Sequence, residues 1–300
     1  MHANPQLQPC ISVVMPTYGE PLDVLRRTVD SVLAQTFSDL ELVIVVDNPD
    51  RRDAIEMLQS YAKSDRRVRV HINEANIGVW PSYNRGVRLT RGRYIAIQDA
   101  DDVSLPTRLE VLHSFLESNP GVDVVGCSLR YVDAETGARL LERHYPADIS
   151  EAIRQVCPVA HATTLRKAGL HEQYGYYDES HDVRHAADYE LWLRWYLRGV
   201  CVRNVQDVLY LYYQNRSNFK ARNVKNILRD TVRLKRRYSA RLAFGLMDRM
   251  WMLAESAALF LPSGLILRLF YVVSRLRSKR RVDIGSTETS TESKHSCKGS

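Results

Sequence analysis

The sequence predicts an α/β fold with a doubly wound, mainly parallel sheet and a helical extension at the C-terminus. Between residues 11 and 127, short apolar runs alternate with segments whose apolar residues recur at helical spacing. The run 42–46 is continuously apolar and mostly β-branched, as in a strand that is covered on both faces. The composition, 45% hydrophobic and 26% charged over 300 residues, excludes a mainly disordered, fibrous or polytopic membrane protein.

The predicted elements alternate along the chain. The first strand ends at Pro16, and Pro21 suits the first turn of the helix that follows, where its missing N–H costs no hydrogen bond. The predicted strands span 11–15, 42–46, 68–72, 94–97 and 122–127. The predicted helices span 22–33, 52–63, 80–89 and 105–117, the last closed by Asn119-Pro120, with a further amphipathic helix over 187–195.

Polar and acidic turns follow three of these strands, and ligands of such sheets bind beyond the carboxyl ends of the strands. The turns are Pro16–Glu20, Asp47–Asp50 and Asp99–Asp102. The last places three carboxylates within four residues, which repel one another unless a cation or hydrogen-bond donors offset them. Oxygen ligands of this kind suit Mg²⁺ or Mn²⁺. The alternative is a solvated acidic turn that caps the next helix.

Two phosphate-binding motifs are missing from the sequence. No Gly-x-Gly-x-x-Gly follows the first strand, and no Gly-x-x-x-x-Gly-Lys-Ser/Thr occurs. A dinucleotide fold or a P-loop is therefore not expected. A nucleotide bound at this sheet edge would be held by side chains at its base and ribose, and through a metal at its phosphates.

The second half of the chain offers an acidic residue and several histidines. Asp188 lies near the start of the predicted helix, where the helix dipole favours a carboxylate, so capping and catalysis are both open. No His-x-x-x-His pattern occurs. The histidines therefore favour a polar loop over a metal site. They are His161, His171, His181 and His185.

The net charge of +7 is unevenly distributed. Residues 216–281 carry 17 Lys and Arg against three acids, a net +14, so the rest of the chain carries −7. Two segments in this region, 246–261 and 263–276, are amphipathic. Their uncharged runs are too short to span a bilayer. Their pattern is typical of helices that lie in the membrane interface, so we expect the region 242–281 to contact an anionic membrane surface. Packing on the catalytic domain or a dimer interface is the alternative.

Several short motifs appear in a specific order over residues 11–217, and together they resemble family 2 glycosyltransferases with the GT-A fold. The motifs are Pro16-Thr17-Tyr18, Asp47, Asn76-x-Gly78, Asn84-x-Gly86, Gly92-x-Tyr94-Ile95, Asp99-Ala100-Asp101-Asp102 and Asp188-Tyr189-x-Leu191-Trp192-Leu193-Arg194. The segment Tyr177-Asp178-Glu179 also resembles the stretch that precedes the last motif in the family.

The resemblance implies a role for each matching residue. Asp188 would be the general base on the acceptor hydroxyl, and Asp101 with Asp102 would hold a divalent cation, Mg or Mn. A nucleoside-diphosphate sugar would be bound by Pro16, Thr17, Tyr18, Glu20, Asp47, Asn76, Asn84, Asp99 and Ala100. The acceptor side would include His161, Trp192 and Arg194, the last two bracing the helix that carries the base.

The sequence departs from the family pattern at two places. Asp47-Asn48-Pro49-Asp50 stands where many members have Asp-Asp-Gly-Ser, which leaves the nucleotide open. Ala187 stands where many members have an acid before the base. No Gln-x-x-Arg-Trp motif follows, so a processive polymerase is not expected.

The resemblance divides the chain and sets its expected function. We expect a tail over 1–10, a catalytic domain over 11–217, a basic helical extension over 218–281 and a disordered tail over 282–300. Within the catalytic domain, 11–128 would bind the nucleotide and 129–217 the acceptor. The implied reaction is inverting sugar transfer to a carbohydrate or lipid-linked acceptor in polysaccharide or glycolipid synthesis.

The expected location is cytoplasmic, peripheral at the inner face of the cell membrane. The five cysteines are odd in number and widely spaced, which favours a reducing compartment, and the N-terminus has no signal-peptide pattern. Two alternatives are a non-catalytic nucleic-acid- or membrane-binding protein and a nucleotidyltransferase. The acidic body opposes nucleic acid as a partner, and the turn Pro16–Glu20 has no Lys or Arg for a triphosphate.

Overall fold

The computed structural model describes residues 8–214, 219–269 and 272. Its strands are β1 (Ile11–Thr17), β2 (Leu40–Val46), β3 (Val68–Ile72), β4 (Tyr94–Ile97), β5 (Val103–Ser104), β6 (Val124–Asp133), β7 (Arg139–Arg143), β8 (Leu165–Lys167) and β9 (Val202–Gln214). Its helices are α1 (Leu22–Leu33), α2 (Arg52–Ser64), α3 (Val79–Arg88), α4 (Arg108–Ser118), α5 (Leu170–Tyr174), α6 (Ala187–Tyr196), α7 (Phe219–Tyr238) and α8 (Leu246–Ala258). Short 3₁₀ turns occur at Ala152–Arg154, His161–Thr163 and His181–Val183.

The strands form one curled sheet in the order β3-β2-β1-β4-β8-β6-β9-β5, with β7 added to β6. The four strands β1 to β4 are mutually parallel where they pair, and β6 and β9 are parallel as well. The short strands β5, β7 and β8 pair antiparallel with their neighbours. The predicted α/β fold with a mainly parallel sheet is confirmed.

Two layers of helices cover the central strands. Every residue of β2 is buried, as its apolar run predicts. On β1, Val13 packs in the cluster that includes Leu25 of α1, whereas Val14 packs in the cluster with Val87 of α3. Gly86 lets α3 approach the sheet, since a Cβ there would lie 2.5 Å from Val14 Cγ1.

Several predicted boundaries shift for identifiable reasons. The predicted helix over 105–117 begins only at Arg108, because Val103–Ser104 pairs with β9 and Pro106 disfavours a helical Leu105. The predicted strand over 122–127 continues to Asp133, because its second half pairs with β7. The proposed division after residue 128 therefore falls inside β6, and the two parts of the catalytic domain share that strand.

Both ends of the chain are described in part. Cys10 is buried and its carbonyl accepts a hydrogen bond from the Tyr94 N–H, so the packed domain begins before residue 11. The extension is helical over α7, α8 and residues 263–269. The residues outside the described ranges are 1–7, 215–218, 270–271 and 273–300, and they include the whole predicted tail over 282–300. None of the helices in the described ranges is long and apolar enough to cross a membrane.

Candidate active site

A fully buried arginine fixes the acidic turn that follows β4. Arg108, in the first turn of α4, donates to the Ile97 carbonyl at 2.7 Å and to the Ala162 carbonyl at 2.8 Å. Its other terminal nitrogen donates to Gln98 Oε1 at 3.1 Å and Ser104 Oγ at 2.7 Å. One side chain therefore ties both ends of the Asp99–Asp102 turn to the 3₁₀ turn that starts at His161.

Asp99 lies between two tyrosines. The Tyr83 hydroxyl donates to Asp99 Oδ1, and the Tyr210 hydroxyl accepts the Asp99 N–H at 3.2 Å. Burial raises the pKa of Asp99, and the Tyr83 hydrogen bond opposes this shift. Its carboxylate is consequently held in one orientation at the carboxyl end of β4.

Asp101 is the most open of the three carboxylates. Partial desolvation raises the pKa of Asp101 to about 7, and the negative charges of Asp99 and Glu20 add to the shift. Arg27 donates to the Asp101 carbonyl at 3.1 Å, and its guanidinium lies 3.7 Å from the centre of the Tyr213 ring. The turn thus concentrates negative charge on an accessible carboxylate.

Asp102 differs from Asp101 in being fully buried. Its Oδ1 accepts the Tyr213 N–H at 2.8 Å, which joins the turn to β9. Its Oδ2 has no hydrogen-bond partner in the described part of the chain. Burial, followed by the charges of Asp101 and Asp99, raises the pKa of Asp102 well above its usual value. A nearby cation or a bound proton would offset this charge.

The acidic turn fits a divalent cation that is bound together with a phosphorylated ligand. Within the described ranges, no group of three or more His, Cys, Asp or Glu side chains is arranged to hold a metal ion. Mg²⁺ characteristically takes one or two protein carboxylates and completes its shell with water and substrate phosphates. Asp101 offers such a carboxylate, whereas Asp102 faces the backbone of β9.

Asp47, at the end of β2, shapes the loop after β3. Its Oδ1 accepts from Asn73 Nδ2 at 2.6 Å and from the Ile77 N–H at 2.9 Å, while its Oδ2 accepts the Gly78 N–H at 2.8 Å. Gly78 has a φ of 95°, a left-handed conformation that favours glycine. Asp47 itself is buried. If Asp47 contacts the nucleotide as predicted, the contact must use carboxylate lone pairs that do not accept these three hydrogen bonds.

The turn after β1 is closed by Glu20. The Thr17 hydroxyl and the Tyr18 N–H both donate to Glu20 Oε2, at 2.5 and 2.9 Å. Thr17 is buried, whereas 52% of Tyr18 is exposed. Ile77 is 45% exposed in the neighbouring loop, so two apolar side chains flank this edge.

The remaining predicted donor-side residues have mixed surroundings. Asn76 is exposed and its Oδ1 accepts the Gly78 N–H at 3.0 Å. Pro16 is half-buried, and the Ala100 carbonyl accepts the Thr28 hydroxyl at 2.9 Å.

Asn84 is a buried clamp between α3 and the segment before α6. Its Nδ2 donates to the Tyr177 carbonyl at 2.9 Å and to Glu179 Oε1 at 2.7 Å. Its Oδ1 accepts the Tyr177 N–H at 2.9 Å. Asn84 is 1% exposed, so the donor contact predicted for it competes with three hydrogen bonds inside the protein.

Asp188 is the second residue of α6 and is half-buried. Its Oδ1 accepts the N–H of Tyr189 at 2.8 Å, and the Cys157 thiol lies 3.9 Å from Oδ2. Burial raises the pKa of Asp188, and the negative charge of Asp99 adds to the shift. The two carboxylates are therefore close enough to interact, and the acidic turn and the start of α6 belong to one site.

An aromatic cluster lies beside this site. The ring of Trp80 stacks on Tyr177 with a centroid distance of 5.3 Å, and Tyr83 meets His161 edge-on at 4.7 Å. His161 Nε2 lies 2.7 Å from the Tyr177 hydroxyl, which accepts from Arg166 at 2.6 Å. Burial, and then the Arg166 charge, keep the pKa of His161 well below its usual value, so the imidazole is neutral in its hydrogen bond with Tyr177.

Trp192 and Arg194 lie behind the site rather than in it. Trp192 is fully buried. Arg194 pairs with Glu190 at 3.0 Å and donates to the Tyr176 carbonyl at 2.6 Å. Both side chains support α6, and through it they hold Asp188.

Sequence reasoning missed Arg108, Tyr83 and Cys157. Arg108 carries a signal, because it falls on the same helix face as Leu109, Leu112 and Leu116, where a charged residue is unexpected. Tyr83 directly precedes the Asn84-x-Gly86 motif, but its hydrogen bond to Asp99 depends on tertiary contact. Cys157 carries no signal in the sequence.

Comparison with known proteins decides the family. The family model described as Glycosyl transferase family 2 matches residues 12–176, more than half of the chain. The chain belongs to glycosyltransferase family 2. An uncharacterized glycosyltransferase of Methanocaldococcus jannaschii, MJ1057, is 32% identical to this glycosyltransferase over 233 residues, covering 76% of this chain and 79% of the relative.

Two further comparisons are with a relative that is named for a biosynthetic pathway and with a solved structure of similar fold. The O-antigen biosynthesis glycosyltransferase WbnJ of Escherichia coli is 33% identical over 193 residues, covering 61% of this glycosyltransferase and 70% of WbnJ. The mannosyltransferase PcManGT from Pyrobaculum calidifontis, solved with GDP-Man and Mn²⁺, superposes with a TM-score of 0.60 at 18% identity, over 93% of this chain and 84% of that one. The fold is therefore GT-A.

Proposed function

We propose that this glycosyltransferase moves a sugar from a nucleoside diphosphate to an acceptor hydroxyl in a single displacement, with Asp188 as general base. The observation that carries the proposal is that Asp188, at the start of α6, interacts electrostatically with Asp99, which Tyr83 holds in the turn after β4. One side offers carboxylates suited to a cation and a diphosphate, and the other offers a carboxylate that can accept a proton.

The donor would bind along the edge formed by the turns after β1, β2 and β4. Tyr18 and Ile77 are exposed in the turns next to Asp47, and a nucleobase would lie against their side chains. Asp47, Thr17 and Glu20 are occupied by hydrogen bonds that shape these turns. We propose that these three residues mainly position the backbone and the neighbouring side chains. Asp99 would contact the ribose or the sugar.

Asp101 would hold the divalent cation, Mg²⁺ or Mn²⁺. A bound cation supplies neutralisation of the charge that develops on the leaving diphosphate. The raised pKa of Asp101, about 7, supports this role, because a cation relieves the repulsion from Asp99 and Glu20. Asp102 would hold the turn to β9 while its own charge is offset by the same ion.

The acceptor chemistry would take place at Oδ2 of Asp188. Tyr189 N–H holds Oδ1 at 2.8 Å, whereas the Cys157 thiol lies 3.9 Å from Oδ2, so Oδ2 is the more available atom to take the acceptor proton. The N-terminus of α6 favours the charged carboxylate, while burial raises its pKa toward the working range of a general base. The acceptor oxygen then bonds to the anomeric carbon, the bond to the diphosphate oxygen breaks, and the proton passes to Asp188. Attack from the face opposite the diphosphate inverts the anomeric carbon.

The acceptor is proposed to be a carbohydrate or a lipid-linked sugar in surface polysaccharide or glycolipid synthesis, at the inner face of the membrane. The similarity to WbnJ, a protein named for O-antigen biosynthesis, supports this setting. Trp80 supports it as well, because its ring is half-buried beside the site and aromatic rings provide apolar faces against which sugars can pack.

A thermal-shift screen tests the donor proposal. Nucleoside diphosphates and their sugars would be added with Mn²⁺, with Mg²⁺ or with excess chelator. A ligand at about 100 times its Kd stabilises the native state by ~2.7 kcal/mol. We expect one nucleotide to raise Tm only when a cation is present, and Asp101→Asn to abolish that increase. Failure of every nucleoside diphosphate with both cations would contradict the proposal.

A further inference from the structure

The exposed apolar side chains of this glycosyltransferase are concentrated in its C-terminal extension. Of the 12 large hydrophobic residues that are exposed in the described ranges, eight fall between residues 246 and 272. Leu246 is 75% exposed and Phe260 is 91% exposed. The eight are Leu246, Met247, Met250, Leu253, Phe260, Leu265, Leu269 and Val272, and we call them the apolar face.

The spacing of these residues shows that α8 has two distinct sides. Leu246, Met250 and Leu253 recur at intervals of four and three residues, so they share one side of the helix. On the other side, Asp248 lies 3.4 Å from Arg154 of the catalytic domain, and Glu255 pairs with Lys235 of α7. The polar side of α8 therefore packs on the protein and its apolar side faces solvent, the reverse of an ordinary surface helix.

The charges around the apolar face are almost all positive. The three acids of residues 219–269 are each paired inside the protein, because Asp230 lies 3.0 Å from His185 and 3.7 Å from Arg233, in addition to the two pairs above. Exposed cations remain on the same segment, namely Arg237, Arg241, Arg249 and Arg268. Arg249 directly precedes Met250 and Arg268 directly precedes Leu269, so arginines adjoin the apolar face on both helical segments.

We propose that the apolar face docks on an anionic lipid bilayer, with α8 and residues 263–269 lying in the plane of the interface. Apolar residues on one side of a helix with arginines at its borders match the chemistry of acyl chains and anionic head groups. A second copy of the chain fits less well, because a two-fold interface would bring the same arginines against each other.

The docking surface is joined to the part of the site that carries the candidate base. The Tyr238 hydroxyl of α7 donates to Glu190 of α6 at 2.8 Å. Lys235 Nζ donates to the Gln155 carbonyl at 2.6 Å, two residues before Cys157, which contacts Asp188. If the proposed function holds, docking would place the acceptor side of the site at the bilayer, where a lipid-linked acceptor lies.

Vesicle sedimentation of the full chain tests this proposal. We expect binding to vesicles of phosphatidylcholine with phosphatidylglycerol, weaker binding to phosphatidylcholine alone, and a decrease at high salt. Met250→Asp with Leu253→Asp should lower the partition coefficient at least about tenfold. The double variant Arg241→Glu, Arg249→Glu should lower the partition coefficient by about fivefold or more for each charge replaced. Leu140→Asp, an exposed apolar position on β7, is the matched control and should bind as the unchanged protein does.

Three results would overturn the proposal. The first is a failure of the unchanged protein to sediment with anionic vesicles, and the second is equal binding by the Met250→Asp, Leu253→Asp variant. The third is a dimer in analytical ultracentrifugation that this variant abolishes, without vesicle binding. The nucleotide-dependent Tm shift is measured on the same variants. It is expected to remain, so a failure of docking is distinguishable from a failure of the donor proposal.

Discussion

Replacement of Asp188 by asparagine removes the proposed proton acceptor with little change in shape. The amide oxygen can still accept the Tyr189 N–H, which Asp188 Oδ1 now accepts at 2.8 Å. The amide nitrogen then replaces Oδ2 beside the Cys157 thiol, 3.9 Å away. Since burial raises the pKa of Asp188, removing its charge should not lower stability. The substitution therefore isolates the chemical step.

The expected loss in kcat follows from the surroundings of Asp188. A positioned general base contributes typically ~10²–10⁴-fold, equivalent to about 3–5 kcal/mol of barrier. Asp99, the carboxylate that influences the pKa of Asp188, is held by Tyr83 and is suited to the donor side. It cannot replace the lost base without breaking that hydrogen bond. We expect a decrease toward the upper end, about 10³–10⁴-fold in kcat.

The assay compares steady-state transfer with donor binding. Asp188→Asn should lose turnover while its nucleotide-dependent Tm shift stays within error of the unchanged protein. Glu172→Gln is a matched control, since it neutralises an exposed carboxylate of α5, and it should leave kcat unaltered. Near-normal turnover by Asp188→Asn would refute the role of general base.

Three further predictions concern the clamp, the acidic turn and the pH profile. Asn84→Ala removes three buried hydrogen bonds and should cost about 3 kcal/mol, lowering Tm by roughly 6–12 °C in calorimetry; an unchanged Tm with weaker donor binding would instead support a donor contact. Asp101→Asn relieves repulsion from Asp99 and Glu20, so the protein without ligand should gain Tm while losing cation-dependent nucleotide binding in the thermal-shift assay. The proposed base acts when deprotonated and its pKa is raised, so kcat/KM should fall as the pH decreases, with an apparent pKa above the usual range of an aspartate. An apparent pKa at or below that range would contradict the assignment.

The central strands and the acidic turn could be predicted from the sequence because local pattern determines them. Strands β3 and β4 have the predicted bounds, since β3 alternates apolar and polar residues and β4 is a short apolar run. Asp99–Asp102 follows β4 directly, so its place at the carboxyl edge depends only on the strand before it.

The separate roles of the three aspartates could not be predicted in the same way. Asp102 turns inward because its carboxylate accepts the Tyr213 N–H from β9, more than a hundred residues away, and this leaves Asp101 as the open carboxylate. Spacing along the chain carries no information about such a contact. The motif positions Asp47 and Asn84 illustrate the same limit, because their side chains are largely used inside the protein.

The C-terminal helix α8 could likewise be predicted only in part from the sequence. Helical spacing in the sequence predicts two unlike sides for α8, but it does not say which side packs on the catalytic domain. The ion pairs of Asp248 and Glu255 decide this, because they turn the acidic side inward and leave the apolar face in solvent.

The anomeric configuration of the transfer product tests the central claim most directly. A single displacement assisted by Asp188 forms the new bond on the face opposite the diphosphate. Once the screen has identified the donor, proton NMR of the product formed in the first turnovers reports the configuration of the transferred sugar. The account predicts the configuration opposite to that in the donor, and a product that retains the donor configuration would contradict it.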